Sequence, residues 1–92
     1  MLIQRVREHE ASNGDRVATE NLLTEGYARE LALEAESRRL QARIDTLAAG
    51  LGEEGDSAAL EIGALARRRA ETDGEHARLR AALGQLRREL AA

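Results

Sequence analysis

The sequence contains no Cys, Pro, Trp, Phe or Lys, and one Tyr, in 92 residues. Each absence narrows the possibilities. Without Cys there is no disulfide framework and no thiolate metal site. Without Pro, nothing removes a backbone donor or clashes with the preceding turn, so helices can run unbroken. The near absence of aromatics argues against a β-sandwich or barrel, whose strands draw on them, and against a base-stacking nucleic-acid platform. The lack of Lys leaves all 14 basic residues as Arg and carries no functional weight. No apolar run is long enough to span a bilayer, and Met1–Glu10 alternates charge with short apolar pairs instead of forming the apolar core of a signal peptide. The cytoplasm is the expected location, with no membrane association.

What is present is charge of both signs together with small aliphatic residues. Charged residues make up 34% of the chain and the formal net charge is −3. The clusters Arg38–Arg39, Arg67–Arg68–Arg69 and Arg87–Arg88 each sit within a helical turn of Glu. Nucleic-acid binding needs an uncompensated basic surface and is therefore not expected. A chain this short forms one small domain with a thin core, which favours self-association or a protein partner.

Composition divides the chain into pieces. Residues 1–13 carry Leu2, Ile3 and Val6, a short amphipathic segment, and Ser12-Asn13-Gly14-Asp15 reads as a turn rich in N-cap residues. Residues 14–92 read as a helical hairpin with arms over 16–50 and 57–91 and a turn at 51–56. Gly50 or Gly52 suits a left-handed position after the first arm, and Asp56 or Ser57 suits the N-cap of the second. In the first arm Leu33, Leu40 and Leu47 fall seven apart, with Ile44 and Leu51 on the alternate seam. In the second, Leu79, Leu83, Leu86 and Leu90 follow the same three-and-four spacing, preceded by Ile62 and Leu65. The expected fold is all-α: an antiparallel two-helix coiled-coil hairpin with a short N-terminal helix, dimerising into a helical bundle. Leu2, Ile3 and Val6 are expected to cover the apolar surface around Leu83–Leu90 at the open end.

Both seams have polar interruptions. The first register places Glu30 and Ser37 at core-type positions, and the second places Arg69, Thr72 and His76 there. Folding at the turn sets Leu47 against Leu60, Ile44 against Ile62–Gly63, Ser37 near Arg69, Leu33 near Thr72–Gly74, Glu30 near His76 and Leu23 against Leu83. The two gaps then coincide in a central patch of Glu30, Glu34, Ser37, Arg69, Thr72 and His76. Such a patch is either an interaction or ligand site between helices, or a device that fixes register at some cost in stability. Gly74 beside it would permit close approach of a ligand or helix.

The sequence offers little for catalysis. His9 and His76 lack a second ligand at metal-binding spacing, so no metal or other cofactor is expected. Gly50-x-Gly52-x-x-Gly55 has the spacing of a dinucleotide fingerprint but follows a helix, not a strand. There is no nucleophile elbow and no phosphate-cradling loop, so the chain is not expected to be an enzyme.

Glu30, Gln41 and Asp45, with the intervening stretch Arg38-Arg39-Leu40-Gln41-Ala42-Arg43-Ile44-Asp45, resemble the cyclic-di-GMP-binding helix of small actinobacterial anti-sigma factors. Glu34 stands where that family has Ser, and Ser37 where it has Arg, so the family's main phosphate and guanine contact is missing. The resemblance implies a nucleotide-responsive transcription regulator whose paired helices make the site. Glu53, Glu54 and Asp56 at the turn are similar to the acidic tip of hairpins that enter the polymerase secondary channel. The expected function is a non-enzymatic helical interaction module (regulator, adaptor or chaperone-like coiled coil), with these two resemblances as alternatives. Its candidate interaction residues are Glu30, Glu34, Ser37, Gln41, Asp45, Arg69, Thr72 and His76. The expected partner is a protein or a second copy, with a small nucleotide as the alternative ligand.

Overall fold

A computed structural model of the chain describes residues 2–12 and 16–91, with side chains at 2–7, 16–50 and 55–91. It contains three helices, α1 (Leu2–Ser12), α2 (Arg16–Ala49) and α3 (Leu51–Ala91). Ala, Leu, Glu and Arg, the strong helix formers, dominate both long arms. Pairs such as Arg16 with Glu20, 3.2 Å apart, support a single arm from within. The arms fold back on one another as an antiparallel hairpin, in a rod with extents of 58 × 17 × 17 Å.

The core is concentrated at the open end. Leu33, Leu79, Leu83, Leu86 and Val6 are fully buried there, Leu22 and Leu23 nearly so. Leu2, Ile3 and Leu90 pack against them. α1 thus lays its apolar side over α2 and α3, as Leu2, Ile3 and Val6 were expected to do. This end is three helices thick. Toward the reversal only two helices remain, and burial thins: Leu40 and Ala58 are buried, while Ile44, Leu47, Ile62 and Leu65 are half-buried. At the open end Gly26 lets the arms approach closely, since a Cβ there would lie 2.3 Å from Leu83 Cδ2.

The reversal differs from the expected one. α3 begins at Leu51, so residues 51–56 are helical and Asp56 and Ser57 lie inside the helix, not at its cap. The break narrows to Gly50, whose N–H donates to the Leu47 carbonyl at 3.1 Å and whose φ does not enter the left-handed region. Gly in a helix costs about 1 kcal/mol relative to Ala but does not forbid it. Glu53 and Glu54 fall in the first turn of α3. The side chains of Leu51, Glu53 and Glu54, the turn residues 13–15 and the His9 side chain lie outside the described residues.

Leu60 does not meet Leu47; it is 78% exposed, and Ala58 is the buried residue instead. Counting back from Leu65 and Ile62 by the spacing of the seam reaches Ala58. Leu60, two residues further on, projects from the opposite side of the helix.

Candidate interaction surface

Two polar rails flank the apolar seam. On one flank Arg29 pairs with Glu75 at 2.8 Å, Glu36 with Arg68 at 3.4 Å and Arg43 with Glu61 at 3.2 Å. Successive rungs are seven residues apart on both arms, and the sign of each arm's charge alternates. Sliding α3 by one heptad in either direction would bring two like-charged pairs together. This flank therefore specifies register by electrostatics as well as by packing. The pattern was visible in the sequence as Arg29, Glu36, Arg43 and Glu61, Arg68, Glu75, but reading the Arg clusters only for net charge passed over it.

The other flank holds most of the expected polar patch. Arg69 Nε donates to Ser37 Oγ at 3.4 Å, and Arg69 Nη1 donates to Gln41 Oε1. Gln41 Nε2 in turn donates to Asp45 Oδ1 at 2.7 Å, and Asp73 lies 3.6 Å from Arg69. Ser37, Gln41, Asp45 and Arg69 thus form one connected network across the hairpin. Further along, Glu34 Oε1 stands 3.7 Å from His76 Nε2 and 3.9 Å from Arg80. His76 Nε2 is shielded from solvent and has no hydrogen-bond partner. The expected contact of His76 with Glu30 is not made. Glu34, one turn further along α2, takes that place, and Glu30 is half-buried.

Glu30 acts elsewhere. Arg87 donates to the Tyr27 hydroxyl at 2.9 Å, and its guanidinium stands 5.6 Å from the Tyr27 ring centroid. The Tyr27 hydrogen bond holds the Arg87 pKa above its usual value, with a smaller pull from Glu30. Thr72 is buried and borders a hollow on the ladder flank with Glu36, Arg68 and Glu75. Gly74 faces no opposing helix; a Cβ there would meet only Arg78 Nη1, at 3.3 Å.

The patch therefore divides into a Ser37–Gln41–Asp45–Arg69 network and a Glu34–His76–Arg80 contact, with Thr72 on the other side and Glu30 toward Arg87. Among the described residues no group of three or more His, Asp or Glu is placed to hold a metal ion, and no helix is long and apolar enough to cross a membrane.

Outside the rails, the surface carries large aliphatic residues that are mostly exposed. Val17 and Leu31 on α2 are each 66% exposed, and Leu60 on α3 is 78% exposed. α3 also presents a row of small residues seven apart, Gly63, Ala70, Ala77, Gly84 and Ala91. Over Ala77 lies an open hollow of about 450 Å³, bordered by Asp73, His76, Arg80 and Ala81. No family model matches the chain, and no curated protein or solved structure is detectably similar to it.

Proposed function

We propose that the chain is a non-enzymatic helical interaction module, a cytoplasmic regulator or adaptor that works by presenting its outer helical faces to another polypeptide. The observation that carries this reading is the exposure of Val17, Leu31 and Leu60 on a rod whose other outward residues are mostly charged or small. Exposed aliphatics scattered singly are ordinary. Here Val17 and Leu31 belong to one row of α2, two heptads apart, which is how a helix displays an edge for a neighbouring helix. The polar patch supports the same reading, because its donors and acceptors are largely turned toward one another across the hairpin.

The test is photo-crosslinking from single positions. A photoreactive residue at position 31 or 60, expressed in cells, is expected to give covalent adducts heavier than the chain. The same residue at the exposed position 39, on a different face of α2, is expected to give few. Absence of adducts from both 31 and 60 would overturn the reading.

A further inference from the structure

We propose that the chain pairs with a second copy of itself through the face bearing Leu31 and the hollow over Ala77. The pairing is about a two-fold axis parallel to the rod, so that α2 of each copy lies along α3 of the other in a four-helix bundle. This rests on the interaction-module reading and names its partner.

The argument begins with Leu31. It lies one turn from Tyr27 and one turn from Glu34, and so shares a helix face with both. Tyr27 reaches Arg87, and Glu34 reaches His76 and Arg80. Leu31 therefore stands on the Arg80 side of the rod, pointing outward at 66% exposure. On that same side of α3 is the hollow of about 450 Å³ bordered by Asp73, His76, Ala77, Arg80 and Ala81. Residues 73, 76, 77 and 80 are spaced as the four corners of a hole in knobs-into-holes packing, and a leucine is the usual knob. The alanine at position 77 leaves room for one.

The levels agree. Arg29 pairs with Glu75, and Glu34 stands by His76 and Arg80, so Leu31 is level with residues 75–80 of its own α3. A two-fold axis parallel to the rod exchanges the arms without changing level. It therefore brings the Leu31 of each copy over the hollow of the other. The same operation sets Thr24 level with Gly84 and Val17 level with Ala91, larger residues against small ones along the entire row. The exposed aliphatics Val17 and Leu31 each acquire a small residue opposite.

Three further observations favour a second copy over an unrelated partner. The knobs and the holes lie on one face of one chain at matching levels, so the face complements itself. At these levels Glu20 on the α2 edge of one copy stands by Arg87 on the α3 edge of the other, so exchanging the arms adds an opposed pair toward the Val17 end. Among the described side chains of α1, Leu2 and Ile3 lie beside Arg29 and Glu75 and Arg5 lies on Glu25 at 2.9 Å, all on the opposite flank. With rod extents of 58 × 17 Å, the face is large enough for the ~800 Å² per partner typical of stable complexes.

The experiment uses the purified full chain. Light scattering is expected to give twice the chain mass. Leu31→Glu and, separately, Ala77→Arg are expected to give the single-chain mass with helicity retained, because both sites are exposed in the hairpin. Since the natural chain has no Cys, oxidation reports geometry directly: Leu31→Cys mixed with Ala77→Cys is expected to form a disulfide-linked dimer. Leu31→Cys alone is not, because the two copies of that residue lie diagonally across the bundle. A single-chain mass for the unaltered protein overturns the proposal; if crosslinks to other proteins from position 31 persist in cells, the interaction-module reading stands without self-pairing. A dimer that ignores both charged substitutions, or one in which Leu31→Cys crosslinks to itself while the mixed pair does not, also overturns it.

Discussion

Arg29 and Glu75 meet at 2.8 Å across the hairpin, with the carboxylate more buried than the guanidinium, and form one end of a ladder whose polarity reverses at each rung. A surface pair of this kind contributes little alone, typically below about 1 kcal/mol. Its value lies in the sequence of signs, since either one-heptad slip of α3 sets like charges against one another at two rungs. A leucine seam repeats every heptad and cannot by itself distinguish those slips.

Charge reversal tests the ladder. Arg29→Glu places two carboxylates together and is expected to cost about 1 kcal/mol. Adding Glu75→Arg restores an opposed pair and is expected to recover most of that loss. The readout is a double-mutant cycle from urea unfolding at low and moderate salt, with the coupling shrinking as salt rises. Equal stability of the single and double variants at low salt would show that the rung carries no energy.

The hairpin, its seam and the covering role of α1 were legible because three-and-four spacing of leucines survives any uncertainty about side-chain detail. The reversal was not, because Gly50, Gly52 and Gly55 all read as breakers when one sufficed. Gly52 and Gly55 are tolerated inside α3, where their cost is spread over a long packed helix. Leu60 was set against Leu47 by counting residues from the turn, which fixes level but not helix phase; the phase running back from Leu65 and Ile62 selects Ala58. At the polar patch the Ser37–Arg69 contact followed from register, since both backbones are fixed by the seam. The partner of His76 did not, because Glu30 and Glu34 are one turn apart and side-chain reach decides between them.

Two glycines separate these cases by the sign of their response. Gly55 is exposed in helical backbone with nothing within 4 Å of an added Cβ. Gly55→Ala is therefore expected to raise stability by about 0.5–1 kcal/mol; a loss would place residue 55 in a turn with positive φ. Gly26→Ala also gains helix propensity, but its Cβ would lie 2.3 Å from the fully buried Leu83. Overpacking of about 1–3 kcal/mol outweighs the gain, so a net loss is expected in thermal melts.

Core truncations are expected to grade with the thickness of the rod. Leu33→Ala and Leu83→Ala each open a cavity at the three-helix end and are expected to cost roughly 2–5 kcal/mol. Leu40→Ala, nearly as buried, is expected at the lower part of that range. Leu47→Ala, half-buried where only two helices pack, is expected to cost less than any of these. Circular-dichroism melts of the four variants check the order. A Leu47→Ala loss equal to that of Leu83→Ala would mean that the thin end is covered in solution.

The polar network distinguishes a structural from a binding role for the centre of the hairpin. Ser37, Gln41 and Asp45 are bound up with Arg69, either directly or through one another, and Thr72 is buried nearby on the ladder side. Replacing Ser37→Leu, Arg69→Leu and Thr72→Val together fills the seam with apolar groups. Such replacement of partly buried polar sets is commonly neutral or stabilising, by up to about 1–4 kcal/mol, so the triple variant is expected to melt no lower than the natural chain. Because the charge ladder on the other flank is untouched, the hairpin is expected to keep its register. Association is expected to become less selective in light scattering as the apolar surface grows. The natural chain is expected to show no change in melting temperature with a cyclic dinucleotide, since the Arg69 donors are already engaged and position 37 offers a hydroxyl where the nucleotide-binding helix has Arg. A clear thermal shift with that nucleotide, abolished in the triple variant, would reassign these side chains from holding the arms together to holding a ligand.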